Sequence, residues 1–338
     1  ALSAAYNYLI MGTIGATFFV IGLGFLYMAT GTLNMADLAD RLAGQYDSRT
    51  VRAGFAFILV GMGLKVAIFP LHFWLPNAYT YAPSAVTAFL AATATKVAVY
   101  VLLRFIFSVF QPAFLAETST LEIIFYPFAL LAMFAASATA IFQRDLKRML
   151  AYSSIAQIGY MLLGVALLSE TGLMATILHL FNHGITKAAL FMGVGAYALR
   201  SKSSFYIDLQ GLGKTMPWTS AAVVIGGISL IGVPGTAGFL SKWLLVQAAL
   251  EQGYWPIAML IVASSLLAVI YVWRLVETLY LSAPNSEQTI QEAPLSMLLP
   301  LWIMALACIY FGFETDITLG AAKAAAQALL AGSSGMMH

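Results

Sequence analysis

Long blocks of apolar residues run along this chain, and short polar segments separate them. Each block is close to, or longer than, the roughly 20 residues that an α-helix needs to cross the hydrocarbon core of a bilayer. The pattern therefore predicts membrane-spanning helices, and it predicts nine of them. These cover residues 5–30, 52–75, 84–108, 121–142, 147–169, 173–199, 218–248, 255–281 and 296–313.

The polar segments 31–51, 200–217 and 282–295 are predicted to be the larger loops. The Ala/Leu-rich tail, 317–331, is predicted to form a short helix at the membrane interface or against a neighbour. Loops on the side of the chain start carry more Lys and Arg than the opposite loops, so the positive-inside rule places that side in the cytoplasm.

Composition agrees with a membrane protein and excludes several other classes. Hydrophobic residues make up 61% of the chain and charged residues only 9%, whereas soluble domains are about one quarter charged. The single cysteine, Cys308, excludes a disulfide framework or an iron–sulfur site built by this chain alone. The net charge of +2, without a basic tract, gives no indication of nucleic-acid binding. The chain opens at Ala1 directly before a full span, so we expect further residues upstream.

Lysines lie inside several predicted spans, where each charge needs a structural or functional reason. Lys65 precedes Pro70, and Lys242 follows Pro234; proline removes a backbone donor and disrupts a helix. We therefore predict two discontinuous helices, with each lysine within about one turn of the disruption. Snorkelling to the interface is the alternative, but Lys65 is deep in its span, so we expect it to be buried and functional. Lys96 stands among small residues that permit close helix packing or a wet cavity.

A polar stripe is predicted on the span 173–199. His179, His183 and Lys187 are spaced i, i+4 and i+8, so they fall within about 80° of one another on a helix. Three interpretations are open: a proton relay, structural hydrogen bonding and a metal site. A relay is favoured because histidine titrates near neutral pH and a desolvated lysine can lose its proton. A metal site lacks an obvious third ligand in this chain.

The acidic residues are almost absent from the spans. Of the fourteen, nearly all fall in loops, tails or span ends. Glu277 follows Arg274 by one helical turn, and the two are predicted to neutralise each other. The intramembrane lysines therefore have almost no carboxylate partner in this chain. Either they exist partly as neutral amines, as a proton carrier requires, or a partner carboxylate lies elsewhere.

An internal repeat is also indicated. Segment 9–16 resembles segment 190–196, and a nearly equal shift relates Lys65 to Lys242 and Lys96 to Arg274. Five predicted spans lie within that shift. Because five is odd, the two copies would be inverted in the membrane, as in many transporters.

Several long motifs resemble those of the antiporter-like membrane subunits. This family includes the D-type subunits of Mrp multisubunit Na+/H+ antiporters, the membrane-arm pumping subunits of respiratory complex I, and relatives in energy-converting hydrogenases. The motifs are KVAIFPLHFWLPNAYTYAP (65–83), ATKVAVY (94–100), QRDLKRMLAYSSIAQIG (143–159), HLFNHGITK (179–187) and VPGTAGFLSKW (233–243). They occur in the family's order and together extend over most of the chain.

The resemblance implies an all-α polytopic membrane fold of fourteen helices, with inverted five-helix repeats and two broken helices. The nine spans here would match its last nine. Residues 1–108 would be the C-terminal part of the first repeat, 121–281 the second repeat, and 282–338 a C-terminal helix and tail. The family's essential glutamate would lie on a helix before residue 5.

The resemblance also implies functional roles. Protons would move along Lys65, Lys96, His179, His183, Lys187 and Lys242, with Pro70, His72, Pro234, Arg274 and Glu277 in supporting positions. No cofactor and no metal are expected, and no catalytic chemistry is assigned to this chain. The expected partners are H+, with Na+ as a candidate second ion, other membrane subunits of a hetero-oligomeric complex and the lipid bilayer, and not nucleic acid.

Within the family, segments 31–35 and 273–277 and the WLPN form of the first motif look most like the D-type subunits of Mrp antiporters. The first hypothesis is thus an H+-moving subunit of a Na+/H+ antiporter. The alternatives are a proton-pumping subunit of an NADH:quinone oxidoreductase or energy-converting hydrogenase, and a scaffold that has lost transport. In each case the expected location is the inner (plasma) membrane of a prokaryote, as a multi-pass protein.

Overall fold

The computed structural model describes residues 1–283 and 290–331, apart from the side chain of Glu122. Within these residues the chain is helical, and the only bridge-like pairing joins Asp145 to Phe205. Fourteen helices, α1 to α14 in chain order, are Leu2–Thr30, Met35–Leu42, Arg49–Val66, Trp74–Tyr81, Ser84–Glu117, Ile123–Ile141, Leu146–Ala166, Glu170–Ser201, Leu212–Thr215, Pro217–Ile231, Ala237–Glu251, Trp255–Leu281, Leu295–Phe313 and Asp316–Leu330.

Six of these helices are long and apolar enough to cross a membrane uninterrupted: α1, α5, α6, α7, α12 and α13. They coincide with six of the nine predicted spans. The other three predicted spans correspond to α8, which carries the polar stripe, and to two helix pairs, α3/α4 and α10/α11, that are each broken in the middle. Segment 317–331 forms α14, as predicted.

The loop 31–51 contains a helix that the hydropathy pattern did not predict. The side chain of Asn34 caps α2 by accepting hydrogen bonds from the backbone N–H groups of Ala36 and Asp37. Leu38 and Leu42 are buried on one face of α2. The helix is too short and too charged for a scan that looks for complete spans.

Both predicted helix breaks are present. Helix α3 ends at Val66, directly after Lys65, and Ala67 adopts a left-handed conformation with φ of 63°. Helix α10 ends at Ile231, and the link to α11 uses positive φ angles at Gly232 (89°) and Gly235 (86°), which glycine adopts without steric cost. Each break frees backbone carbonyls that must find donors inside a membrane.

The freed carbonyls are satisfied differently at the two breaks. At the first, the indole Nε1 of Trp74 donates to the carbonyl oxygen of Leu64 at 2.7 Å. At the second, the amine of Lys242 itself provides donors. Lys65 lies on the first half of its broken helix and Lys242 on the second half of the other. The two lysines therefore approach their breaks from opposite sides.

Paired glycines bring α1 and α3 into close contact. A Cβ atom on Gly61 would lie 2.7 Å from the carbonyl oxygen of Gly15, and one on Gly22 would lie 2.8 Å from that of Gly54. Such backbone approach through small residues is a common means of helix association in membranes. It fixes α3, and with it Lys65, against α1.

A repeated order of elements supports the predicted inverted repeat. A long helix (α1), a broken helix (α3/α4) and another long helix (α5) are followed, five spans later, by α8, α10/α11 and α12. The residue boundaries assigned above to the two repeats stay a prediction.

The second break is expected to be intolerant of even one added methyl group. In Gly238→Ala, the new Cβ would overlap the carbonyl oxygen of Ser229 on α10. Backbone atoms must then move, at a cost of about 1–3 kcal/mol. We expect a markedly lower thermal midpoint of aggregation for the detergent-solubilised protein. The control is Gly24→Ala, since a Cβ on Gly24 meets nothing within 4 Å. An equal drop of the thermal midpoint in both variants would contradict the predicted overlap with the Ser229 carbonyl.

Candidate functional site

The predicted polar stripe lies on α8 and is buried. His179, His183 and Lys187 are 5%, 3% and 0% exposed. The rings of the two histidines are parallel, with centroids 6.0 Å apart and an interplanar angle of 2°. Three titratable side chains thus follow one another along a single helix inside the helix bundle.

His179 is hydrogen-bonded on both sides of its ring. Its Nδ1 lies 2.8 Å from the hydroxyl of Ser241 on α11, and its Nε2 lies 2.9 Å from Oε1 of Gln157 on α7. A carbonyl oxygen only accepts, so Nε2 donates to Gln157 in this arrangement. The Ser241 hydroxyl also lies 3.3 Å from the carbonyl oxygen of Gly238, so it either donates to Nδ1 or accepts from it. Both ring nitrogens are therefore engaged by protein groups, and the arrangement accommodates both the neutral and the protonated imidazole.

His183 differs from its neighbour because neither of its ring nitrogens has a hydrogen-bond partner among the described residues. Leaving two buried polar atoms without partners is costly. The ring lies close enough to Lys96 and Lys187 to interact electrostatically with both. His183 is thus the member of the stripe with free capacity to accept or donate a proton.

Lys187 is held by α7. Its Nζ donates to the carbonyl oxygen of Leu150 at 2.7 Å and to the hydroxyl of Ser153 at 2.5 Å. The ring of Phe191 lies 6.0 Å from the same nitrogen. All of these contacts are neutral, so none of them supplies a negative charge to compensate a charged amine at this position.

Lys242 reaches back across the second helix break. Its Nζ donates to the last carbonyl oxygens of α10, those of Leu230 at 2.9 Å and Ile231 at 2.8 Å, and to the hydroxyl of Ser265 at 3.2 Å. The ring of Tyr160 lies 4.9 Å from Nζ, and its centroid is 5.9 Å from that of His179. The break thus solvates the amine with backbone dipoles, next to the histidine pair.

Lys96 lies two residues after a π-helical turn, Leu90–Ala94, in α5, and is half-buried. Its Nζ donates to the carbonyl oxygen of Ala91, which lies within this turn. π-Turns of this kind are frequent at functional sites. Gly184 of α8 approaches the carbonyl of Ala92, and an open groove of about 560 Å³ borders both Lys96 and Gly184. The small residues around Lys96 therefore permit the close packing that the sequence predicts.

Two predictions about side-chain surroundings are wrong. Lys65 is exposed in the described chain rather than buried, because α3 packs on α1 through its glycine face and the amine projects past Gly12 beside a cavity of about 100 Å³. Arg274 and Glu277 do not form an ion pair. Arg274 instead donates to the carbonyl oxygens of Ile141 and Gln143 at the end of α6, and Glu277 is exposed.

The remaining supporting residues lie at the breaks. Pro70 and His72 are in the link after α3, and the ring of His72 stacks against Phe69 and Phe73 at centroid distances of 4.9 and 4.7 Å. The Nδ1 atom of His72 has no hydrogen-bond partner among the described residues. Pro234 is in the link between α10 and α11.

Together, five side chains follow one another through the helix bundle, and we call them the polar row: Lys96, Lys187, His183, His179 and Lys242. Four of them are buried, and Lys96 is half-buried at one end. Across residues 1–283 and 290–331, ion pairs are formed only by Arg52, with Asp47 and Glu117, away from this row. Within the same ranges no three His, Cys, Asp or Glu side chains are grouped so as to hold a metal ion. The row is thus rich in basic groups and without an ion-pair partner in the described chain.

Sequence reasoning missed the neutral residues that hold the row in place. Ser153 and Gln157 lie on α7, Ser241 on α11 and Ser265 on α12. Ser153 and Gln157 are polar, four residues apart and inside an apolar span, and that spacing was an available signal. Ser241 directly precedes Lys242 in the sequence.

The fold and the row define a class: a polytopic α-helical membrane protein with titratable groups along its interior. Within that class, the chain belongs to the NADH:quinone oxidoreductase/Mrp antiporter membrane family, whose model matches residues 1–268. The resemblance inferred from the motifs is confirmed. The expected fold of antiporter-like membrane subunits is confirmed as well.

Relatives come from both branches of this family. The chain is 40% identical over 329 residues to NADH-quinone oxidoreductase subunit N of Desulforudis audaxviator, covering 94% of this chain and 65% of the relative. It is 32% identical to the D-type subunit of the Na(+)/H(+) antiporter of Alkalihalophilus pseudofirmus, covering 93% of this chain and 63% of the relative. The chain therefore spans about two thirds of the length of these relatives.

Solved structures place the fold in the same family. A chain of the Mrp complex from Dietzia sp. DQ12-45-1b superposes with a TM-score of 0.88 at 26% identity, covering 97% of this chain and 68% of that one. The fold is therefore found in a multisubunit membrane complex.

Proposed function

We propose that this chain moves protons within the membrane along the polar row, as one subunit of a multisubunit complex. The observation that carries the proposal is the row itself: three lysines and two histidines, largely buried and mutually close, held by carbonyl and hydroxyl oxygens. A row held by neutral groups can gain and lose protons without breaking an ion pair. That property suits a carrier better than a scaffold.

The order of neighbouring side chains suggests a path. Lys96 is close enough to His183 and Lys187 for its charge to act on both, His183 stacks on His179, and His179 lies beside Tyr160 and Lys242. Each step joins groups on different helices or on successive turns of α8. The unpaired nitrogens of His183 are in the middle of this path, where a bound water would find donors and acceptors.

The proposal is tested by separating protonation of His179 from its hydrogen bonding. His179→Gln keeps a polar group near Ser241 and Gln157 but cannot carry a proton through the ring. We expect proton transport by the assembled complex, measured in everted vesicles with a pH-sensitive dye, to fall at least about tenfold.

Ser241→Ala is the matched control, since it removes one hydrogen bond of His179 and leaves the imidazole in place. We expect it to lower transport far less than His179→Gln does. Equal losses in both variants, with normal assembly, would indicate a structural role for His179 and would contradict a relay.

The driving reaction has two candidates. The Mrp-like motifs favour Na+/H+ antiport, in which other subunits would handle Na+. The 40% identity to an NADH-quinone oxidoreductase subunit gives redox-driven pumping at least equal support. Measurements of pH in membrane vesicles distinguish these two reactions. A Na+-induced pH change without an electron donor supports antiport, and proton pumping that needs an electron donor supports the redox complex.

The same relatives support a proposal for the partners and the location. We propose that other membrane subunits flank this chain, that H+ is its transported ion, and that the complex lies in the inner (plasma) membrane of a prokaryote. Exposed apolar side chains along α1, which is mostly uncovered in the described chain, support contact with lipid or with further membrane helices.

A further inference from the structure

Two polar side chains of α8 have no place in the proposed path, although they lie between its members. Asn182 and Thr186 are 1% and 2% exposed. With His179, they are spaced i, i+3 and i+7, so the three side chains share one face of α8. That face packs against both halves of the broken helix α10/α11.

Each of these residues holds a different half of that helix. The amide Nδ2 of Asn182 donates to the carbonyl oxygen of Ala237, the first residue of α11, at 2.6 Å. The hydroxyl of Thr186 lies 3.0 Å from the hydroxyl of Ser229, which is near the end of α10. The same Ser229 hydroxyl accepts from the backbone N–H of Gly238 on the other side of the break, at 3.4 Å.

The break between those halves is where Lys242 is held. Its amine starts on α11 and bonds to the last carbonyls of α10, so its position depends on how far apart the two halves are. His179 also bonds to α11, through Ser241. The spacing between the histidine pair and Lys242 is therefore set by the register of α11 on α8.

We infer that Asn182 and Thr186 form a polar clasp that fixes the two halves of the broken helix on α8 and so positions Lys242 against His179. The inference rests on the proposed function. The clasp itself carries no proton, because Asn182 and Thr186 act only as positioning residues. A displacement of about 1 Å in a transfer geometry can cost about a hundredfold in rate, so a loosened clasp is expected to be visible in transport.

The orientation of the Asn182 amide is fixed by its contact. Only the NH2 group can donate to the Ala237 carbonyl, so Oδ1 is the atom that points elsewhere, and it has no partner among the described residues. The contact between Asn182 and the broken helix is therefore made by the donor group of the amide.

The test uses one substitution at two sites of the same helix. Thr186→Val and Thr176→Val both remove a buried hydroxyl without changing side-chain size. Thr186 holds the broken helix, whereas Thr176 bonds to the Met161 carbonyl of the unbroken helix α7. We expect Thr186→Val to lower proton transport by the assembled complex at least about fivefold, and Thr176→Val to lower it less than about twofold.

Asn182→Leu is the second variant and the pH profile is the second measurement. Leucine approximates the size of asparagine but cannot donate to Ala237. A change in the geometry around Lys242 should move the midpoint of the transport-versus-pH curve by at least about half a unit. A general loss of folded protein would instead scale the curve at every pH and leave its midpoint in place.

The outcomes separate this inference from the proposed function. If Thr186→Val and Asn182→Leu match Thr176→Val in rate and midpoint, while His179→Gln stops transport, the clasp is overturned and the relay stands. If His179→Gln and Lys242→Ala leave transport intact in an assembled complex, the proposed function itself is overturned.

Discussion

Replacing Lys242 by alanine is expected to reduce proton transport at least about tenfold while the complex still assembles. The side chain is 6% exposed, and its amine donates to the Leu230 and Ile231 carbonyls from across the break. Alanine removes the titrating group and leaves a residue that α11 accepts easily. The measurement is dye-detected proton movement in everted vesicles, with the amount of assembled complex determined in the same membranes.

Lys242→Arg is the finer form of this test. Arginine retains a charged donor for the two carbonyls but scarcely deprotonates in proteins. A carrier should therefore fail with arginine almost as completely as with alanine, whereas a cation that only closes the break should be rescued. Lys214→Arg, at the short helix α9 outside the row, is the control for the substitution itself. Full transport by Lys242→Arg would count against proton transfer at this lysine.

The second large effect is expected at Lys65. It is exposed in the described chain, beside Gly12 and close to the break after Val66, and it has no carboxylate partner among the described residues. Lys65→Ala should reduce transport strongly, and Lys65→Arg should fail nearly as badly if the lysine must deprotonate. The assay is the same vesicle measurement, normalised to assembled complex.

The opposite result at Lys65 has a clear meaning. If Lys65→Arg transports protons and Lys65→Ala does not, Lys65 acts as a fixed cation that compensates a negative charge. If neither variant changes transport, Lys65 takes no part in proton transfer, in agreement with its exposed position.

The amino-acid sequence by itself determined the class, the spans and the positions of both helix breaks. Apolar length decides whether a segment crosses a bilayer, and proline and glycine decide locally where a helix cannot continue; neither depends on distant residues. For the same reason the stripe of His179, His183 and Lys187 was predictable, because α-helical periodicity alone puts the three side chains on one face.

Tertiary structure decided which groups meet. Hydropathy does not indicate that Lys242 bonds across the break to α10, or that His179 lies between Ser241 and Gln157. Nor does it indicate that Arg274 bonds to carbonyls at and just after the end of α6 instead of pairing with an acid. Burial of Lys65 was expected from its depth along the sequence, yet its exposure depends on which helices pack beside α3. Depth in a span is a property of the segment, whereas burial and hydrogen-bond partners are properties of the neighbours that packing brings to it.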